Sequence, residues 1–229
     1  MAVNDYVSTA ELKAAMPDTT WSTTYDSEFA RLATAASRII DRLTGRKPGA
    51  YYVDADETRY FDGRVGFNWN RARQNYTAFS EERMLWIGEL AAAPTSVSMT
   101  VDTPRSGNFT ALAYTTLTSG DYFMRPYNAL DDGLPYNEIA LDPYNGTYAL
   151  WYPWEQVVQV VGKFGYSATV PADIKQATII QAVRMFKRGQ QSYKDTGGIV
   201  ELGQMTYTSE IDPDVKAILR DGRYIRVVV

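Results

Sequence analysis

The chain has 229 residues and contains neither cysteine nor histidine. Imidazole and thiolate supply most zinc ligands and most activated nucleophiles, so a zinc centre, a Ser-His or Cys-His triad and a structural disulfide are all excluded. A chain without thiols is indifferent to redox compartment. No run approaches the roughly 18 apolar residues of a membrane span; even Ile225-Arg226-Val227-Val228-Val229 is short and interrupted. The opening Met-Ala-Val-Asn-Asp-Tyr has neither the basic n-region nor the apolar h-region of a secretory signal. The expectation is a soluble, cytoplasmic product with no membrane contact, in which the Asn-x-Ser/Thr matches at Asn75, Asn108 and Asn145 carry little meaning. Also missing are a Gly-rich phosphate loop, a G-x-S-x-G elbow and a dinucleotide fingerprint, and Lys47-Pro48-Gly49 is a turn. No cofactor, metal or catalytic residue is therefore expected.

What is present is an ordinary globular composition, 45% hydrophobic and 22% charged with a formal net charge of −4. A chain this long buries roughly 70% of its unfolded surface and folds without staples. Ser8-Thr9-Ala10-Glu11 has the S-x-x-E spacing of a capping box, and Pro17 ends the helix it starts. A longer helix is predicted from about Asp26 to Thr44, closed by Gly45. At 100° per residue its Phe29, Leu32, Ala33, Ala36, Ile39, Ile40 and Leu43 fall within an arc of about 120°, with Arg31, Arg38 and Arg42 on the other side. Pro171-Ala172-Asp173 opens a third helix reaching about Tyr193, whose apolar residues spread over about 180° and so must meet more than one neighbour. Asp212-Pro213 opens a last short one, ended by Gly222 and followed by strand-like Tyr224 to Val229.

Between these helices the texture changes to short aromatic and β-branched runs separated by Gly, Pro, Asn and Asp. Strands are predicted near Thr58–Phe61, Met84–Ile87, Val97–Val101, Phe109–Ala113, Tyr122–Met124, Glu138–Leu141 and Val157–Phe164, with a long loop from Gly63 to Arg83. The fold class is thus α+β: a helical bundle formed by N- and C-terminal helices (residues 1–49 and 166–229) with an inserted β-rich domain (residues 50–165).

Three constellations bear on function. The acids Asp54, Asp56, Glu57, Asp131 and Asp132 are the obvious candidates for carboxylate chemistry, but nothing in their spacing sets two across a cleft, and Asp132-Gly133 fits a turn. The ring cluster Trp151-Tyr152-Pro153-Trp154 suits half-buried strands, interfaces or sugar stacking, which keeps a carbohydrate- or receptor-binding tail component as the alternative function. Charge is segregated: residues 1–30 sum to −4, 31–47 to +4, 171–195 to +3 and 121–142 to −4. Opposite patches favour contact between copies, whereas a pI near 5.0 argues against reading nucleic-acid sequence.

The opening Tyr6-Val7-Ser8-Thr9-Ala10-Glu11-Leu12-Lys13, the helix FARLATAASRIIDRLTG at 29–45, and Val170-Pro171-Ala172-Asp173-Ile174-Lys175-Gln176-Ala177 leading to Arg184-Met185-Phe186-Lys187-Arg188 resemble the head-to-tail connector, or adaptor, proteins of tailed bacteriophages. The likeness covers the helical ends, roughly 80 residues. It implies a virion protein of the neck, assembled in the host cytoplasm. There it would form a ring, typically of twelve copies, beneath the portal protein, extend the DNA channel for non-specific passage of DNA, and offer a docking surface to a stopper or tail-completion protein. A ring needs two different patches in contact, for which Arg31, Arg38, Arg42, Arg184, Lys187 and Arg188 are the candidates, as subunit-interface or channel residues facing an acidic N-terminal segment of the next copy. Tyr224, Ile225, Arg226, Val227, Val228 and Val229 are the candidates for a tail that adds a strand to a partner's sheet.

Overall fold

The computed structural model describes residues 4–16, 21–63, 83–100, 113–152, 155–190, 196–197, 206–207, 211–222 and 224–225. They form an α+β architecture in two compact units, Met1–Tyr52 with Thr169–Val229, and Val53–Ala168.

In the first unit, helix α1 spans Thr9–Ala14 and carries the reciprocal cap, with the Glu11 amide donating to Ser8 Oγ and the Ser8 amide to Glu11 Oε2. Helix α2 spans Asp26–Thr44, with Asp26 and Glu28 in its first turn, where the helix dipole favours acids, and left-handed Gly45 (φ 66°) at its end. Helix α3 spans Ala172–Gln190 and helix α4 Pro213–Asp221, the latter opened by Asp212, whose side chain accepts the Asp214 amide at 3.0 Å. Helix α3 packs against α1, α2 and α4, as its wide apolar arc requires.

The core of this unit is a ring cluster. Phe29 of α2 lies 5.2 Å from Phe186 of α3, and Trp21 stands edge-on to both at 5.2 and 5.3 Å. Leu12, Leu32, Ala33, Ala36 and Ala182 close around it.

A buried polar network pins the segment before α1 to α2. The Tyr6 hydroxyl donates to Asp41 Oδ1 and accepts the Tyr51 amide at 3.3 Å, while the Tyr6 amide donates to Ser37 Oγ at 3.1 Å. Asp41 Oδ2 takes the Gly49 amide at 3.2 Å and the Arg38 guanidinium at 3.1 Å. Burial pushes the Asp41 carboxyl above its ordinary range and the Tyr6 phenol well above its own.

The second unit is two antiparallel sheets. Strands β1 (Glu57–Phe61), β7 (Val158–Gly162), β3 (Ser96–Met99) and β4 (Thr115–Thr116) form one sheet in that spatial order. Strands β2 (Met84–Leu90), β6 (Tyr136–Leu141) and β5 (Tyr122–Arg125) form the other. Alternation sends Leu85, Ile87, Ile139 and Leu141 from one sheet, and Val97, Met99, Val158 and Val160 from the other, into a single core. Two acids fasten the turns. Asp121 accepts the Thr118 and Thr147 amides, both at 2.6 Å, and Asp142 accepts those of Tyr144 and Asn145. These donors hold both carboxyls below the usual range.

Differences from the sequence reading are local. Of the strand expected at Phe109–Ala113, residues 109–112 lie outside the described residues and Ala113 is not in a strand; β4 was not anticipated, its two threonines being too short a run to signal. The long loop expected from Gly63 to Arg83 falls mostly on 64–82, also outside them. A further short pair, β8 (Thr196–Gly197) with β9 (Thr206–Tyr207), follows α3.

Candidate assembly surface

Among the described residues, helix α3 is wider in its apolar face than its neighbours cover. Ile179, Ile180 and Val183, only partly buried, floor an open groove of about 510 Å³ in the helical unit. Lys187 and Arg188, one turn on, rim it together with Arg184. Arg184 Nη1 sits 2.5 Å from Asp212 Oδ2, which ties the groove wall to the start of α4. The groove therefore combines apolar floor and cationic rim, the composition of a protein-protein contact.

Of the sequence candidates, Arg184, Lys187 and Arg188 are brought together here, and the three arginines of α2 do not line this groove. Arg31 is exposed and forks onto Glu28 one turn earlier, at 2.6 and 3.0 Å. Arg42 is exposed. Arg38 turns to its own chain, donating to the Asn4 carbonyl at 3.0 Å, meeting Asp41 and lying over the Tyr6 ring. The helical wheel put it on the outer side because the wheel omits the segment 4–7 that lies there.

The tail candidates divide similarly. Tyr224 is buried: its amide donates to the Leu219 carbonyl at 3.0 Å, its ring stands edge-on to Tyr51 at 5.6 Å, and its carbonyl accepts from Arg46. It is not in a strand, Ile225 is exposed, and Arg226, Val227, Val228 and Val229 lie outside the described residues.

The acidic N-terminal segment is partly neutralised within its own chain, which a tally of charges along the sequence cannot register. Glu11 meets Lys175 at 2.7 Å, Lys13 meets Asp26, Glu28 meets Arg31, and Asp5 accepts the Thr34 hydroxyl at 2.7 Å.

The carboxylate candidates do not converge. Asp56 accepts the Thr95 hydroxyl, Glu57 pairs with Arg59 at 2.7 Å, and Asp131 and Asp132 occupy an exposed turn ending at left-handed Gly133. Among the described residues no group of three His, Cys, Asp or Glu could hold a metal, and no helix is long and apolar enough to cross a membrane. The aromatic run separates too: Trp151 is core, its indole donating to the Arg83 carbonyl at 2.8 Å, Tyr152 is partly exposed, and Pro153 and Trp154 lie outside the described residues.

No family model and no curated protein matches the sequence. Solved structures do. The chain is similar to one in the neck of an empty gene transfer agent (GTA) particle computed with C6 symmetry, at 15% identity over all of this chain and 97% of the other, with a TM-score of 0.53. It is also similar to chains in the neck of a native GTA particle computed with C12 symmetry (16% identity, TM-score 0.47) and in the virion of a native GTA particle (17% identity, TM-score 0.49), each covering 100% of this chain and 97% of the other. The first likeness spans both units, so the chain shares the fold of a particle-neck protein along its whole length.

Proposed function

We propose that the chain is a structural, non-enzymatic subunit of the neck of a phage-like particle, forming a ring that joins the DNA-filled head to the tail. The observation that carries this is the whole-length fold likeness to a chain in a particle neck computed with sixfold symmetry. Twelve copies beneath a portal satisfy sixfold symmetry, and the ring lumen extends the channel through which DNA passes without sequence reading. A stopper or tail-completion protein docks on the far side of the ring.

In this assembly the helical unit makes the ring contacts and the β-rich unit decorates it. The groove of α3 supports that division, because a heterologous ring needs a concave patch on one copy to receive a different patch of the next. Three of the N-terminal acids, Glu11, Asp26 and Glu28, already have partners in their own chain, which leaves less of that segment's charge for the next copy.

The test is assembly. Purified chain, alone and with a portal protein of a tailed phage-like particle, is examined by sedimentation and electron microscopy, with Lys187→Glu/Arg188→Glu as the groove variant. Rings that dissociate in the variant, while its circular dichroism is unchanged, support the proposal. Rings that persist refute the groove as the contact, and a chain that forms no ring with or without portal refutes the function.

A further inference from the structure

Alternation along β2, β6 and β5 places Met84, Trp86, Glu138, Ala140, Phe123 and Arg125 on the face of the three-stranded sheet opposite its core. Pairing aligns Met84 with Ala140 and Phe123 in one row, and Trp86 with Glu138 and Arg125 in the next. Tyr127 packs on Phe123 with ring centroids 6.0 Å apart, and the turn after β6 adds Tyr144, which is 92% exposed. Between Phe123, Tyr127 and Tyr144 lies a groove of about 360 Å³, within the size range of small-ligand sites.

Arg125 is the unusual member. It sits opposite Glu138 in register, yet among the described residues it forms no ion pair. Its guanidinium lies over the Tyr127 ring at 5.3 Å, its Nη1 reaches only the Met84 sulfur at 3.7 Å, and its Nε is buried with no hydrogen-bond partner. A partly buried guanidinium with unmet donors is a standing demand for a bidentate acceptor, above all a carboxylate. The groove's own acid does not meet it: Asp142 Oδ1 is held by the amides of Tyr144 and Asn145, and Oδ2 by the Asn145 side chain at 3.0 Å. Among the described residues the Tyr127 and Tyr144 hydroxyls make no hydrogen bond either.

We infer that this groove binds a carboxylate-bearing sugar residue of an acidic polysaccharide. The carboxylate takes the Arg125 fork, the apolar C–H face of the pyranose lies on Phe123 with Tyr127 edge-on beside it, and the two phenols meet ring hydroxyls. Exposed ring faces with hydroxyls at their edges suit a flat, half-polar ligand better than an acidic peptide, whose apolar side chains need deeper slots. The inference does not rest on ring formation, since every group belongs to the β-rich unit of one chain.

The test is titration calorimetry of the full chain with tetraglucuronate, with the neutral tetrasaccharide cellotetraose, and with tetraglutamate. Millimolar or tighter binding of tetraglucuronate is expected, weakened about tenfold or more in Arg125→Gln and in cellotetraose, with Tyr144→Ala as a second, fully exposed variant that also loses affinity. Thermal melts establish that each variant is folded. No binding of tetraglucuronate, equal binding of cellotetraose or tetraglutamate, or full retention in the folded variants overturns the inference. The titration reads the same whether or not the chain assembles, so the ring proposal and this one fail separately.

Discussion

Removing a single oxygen from Tyr6 tests the buried network most directly. In Tyr6→Phe, Asp41 Oδ1 loses the phenolic donor and the Tyr51 amide loses its acceptor, both in a buried site. A hydrogen bond to a charged group contributes about 1.5–3 kcal/mol, and an orphaned buried amide costs about 1 kcal/mol or more, so the helical unit loses about 2–4 kcal/mol. The ring itself stays, still edge-on to Tyr51 at 5.6 Å, so no cavity adds to the cost. Because the chain has two units, one global unfolding free energy is ill-defined, and amide hydrogen exchange is the better assay. The protection of the Tyr51 amide, which donates to the missing oxygen, should fall roughly 30- to 1,000-fold, the equivalent of that energy. Tyr60→Phe is the control: its exposed hydroxyl only accepts from Gln159 Nε2 at 3.1 Å, and its loss should cost under about 0.5 kcal/mol. If both variants cost the same, the network is not what fixes residues 4–7 to α2.

The pair Glu11–Lys175 links α1 to α3, and the lysine, with the Ser8 amide, holds the Glu11 carboxyl down to about 2. A depressed carboxyl contributes stability that is present above about pH 4.5 and lost as pH falls towards 2. Because the pair is more than a third exposed, Glu11→Gln should cost only about 1 kcal/mol at pH 7 and a small part of that at pH 2, read from denaturation at the two pH values. Phe29→Ala removes the centre of the Trp21–Phe29–Phe186 cluster and should cost about 3–5 kcal/mol in calorimetry of the helical unit; a loss below 1 kcal/mol contradicts that packing. In Gly146→Ala a new Cβ would stand 2.5 Å from the Asp142 carbonyl oxygen and 3.0 Å from that of Asp121, so the β-rich unit should lose about 1–3 kcal/mol. Gly133→Asn, where nothing lies within 4 Å and asparagine tolerates the left-handed backbone, should be near neutral by the same denaturation assay.

The helix ends were legible because they are written in local chemistry: Asp26 and Glu28 at one end of α2 and Gly45 at the other need no knowledge of the rest of the chain. Most strands were legible as short aromatic and β-branched runs between turn residues, as in Val157 to Phe164 around β7. The site residues were less so, because their roles depend on what packs beside them. Arg38 read as an outward charge, yet the chain before α1 joins it with Asp41 in an interior lock. Tyr224 read as a presented tail residue and is instead core, while Trp151, for which a half-buried strand, an interface and sugar stacking all stayed open, is core as the first of these has it. A strand at Tyr122–Met124 was expected, but only strand pairing brings Met84 and Tyr144, each some distance along the chain, to the same groove. A basic stretch at 184–188 was apparent; that its floor is Ile179, Ile180 and Val183 required the packing of α1, α2 and α4 on the other sides.

The helical unit draws on both ends of the polypeptide, with the whole of Val53–Ala168 strung between. On the ribosome, α2 therefore emerges with Phe29, Leu32 and Ile40 uncovered and waits until Ile174 to Phe186 have been made, while the sheets, contiguous in sequence, can close first. The Val53 amide and the Ser167 carbonyl join the two ends of that stretch at 3.0 Å. Once they meet, a long, costly loop closure becomes a short one, and the sheets act as the clasp that delivers the second half of the bundle to the first.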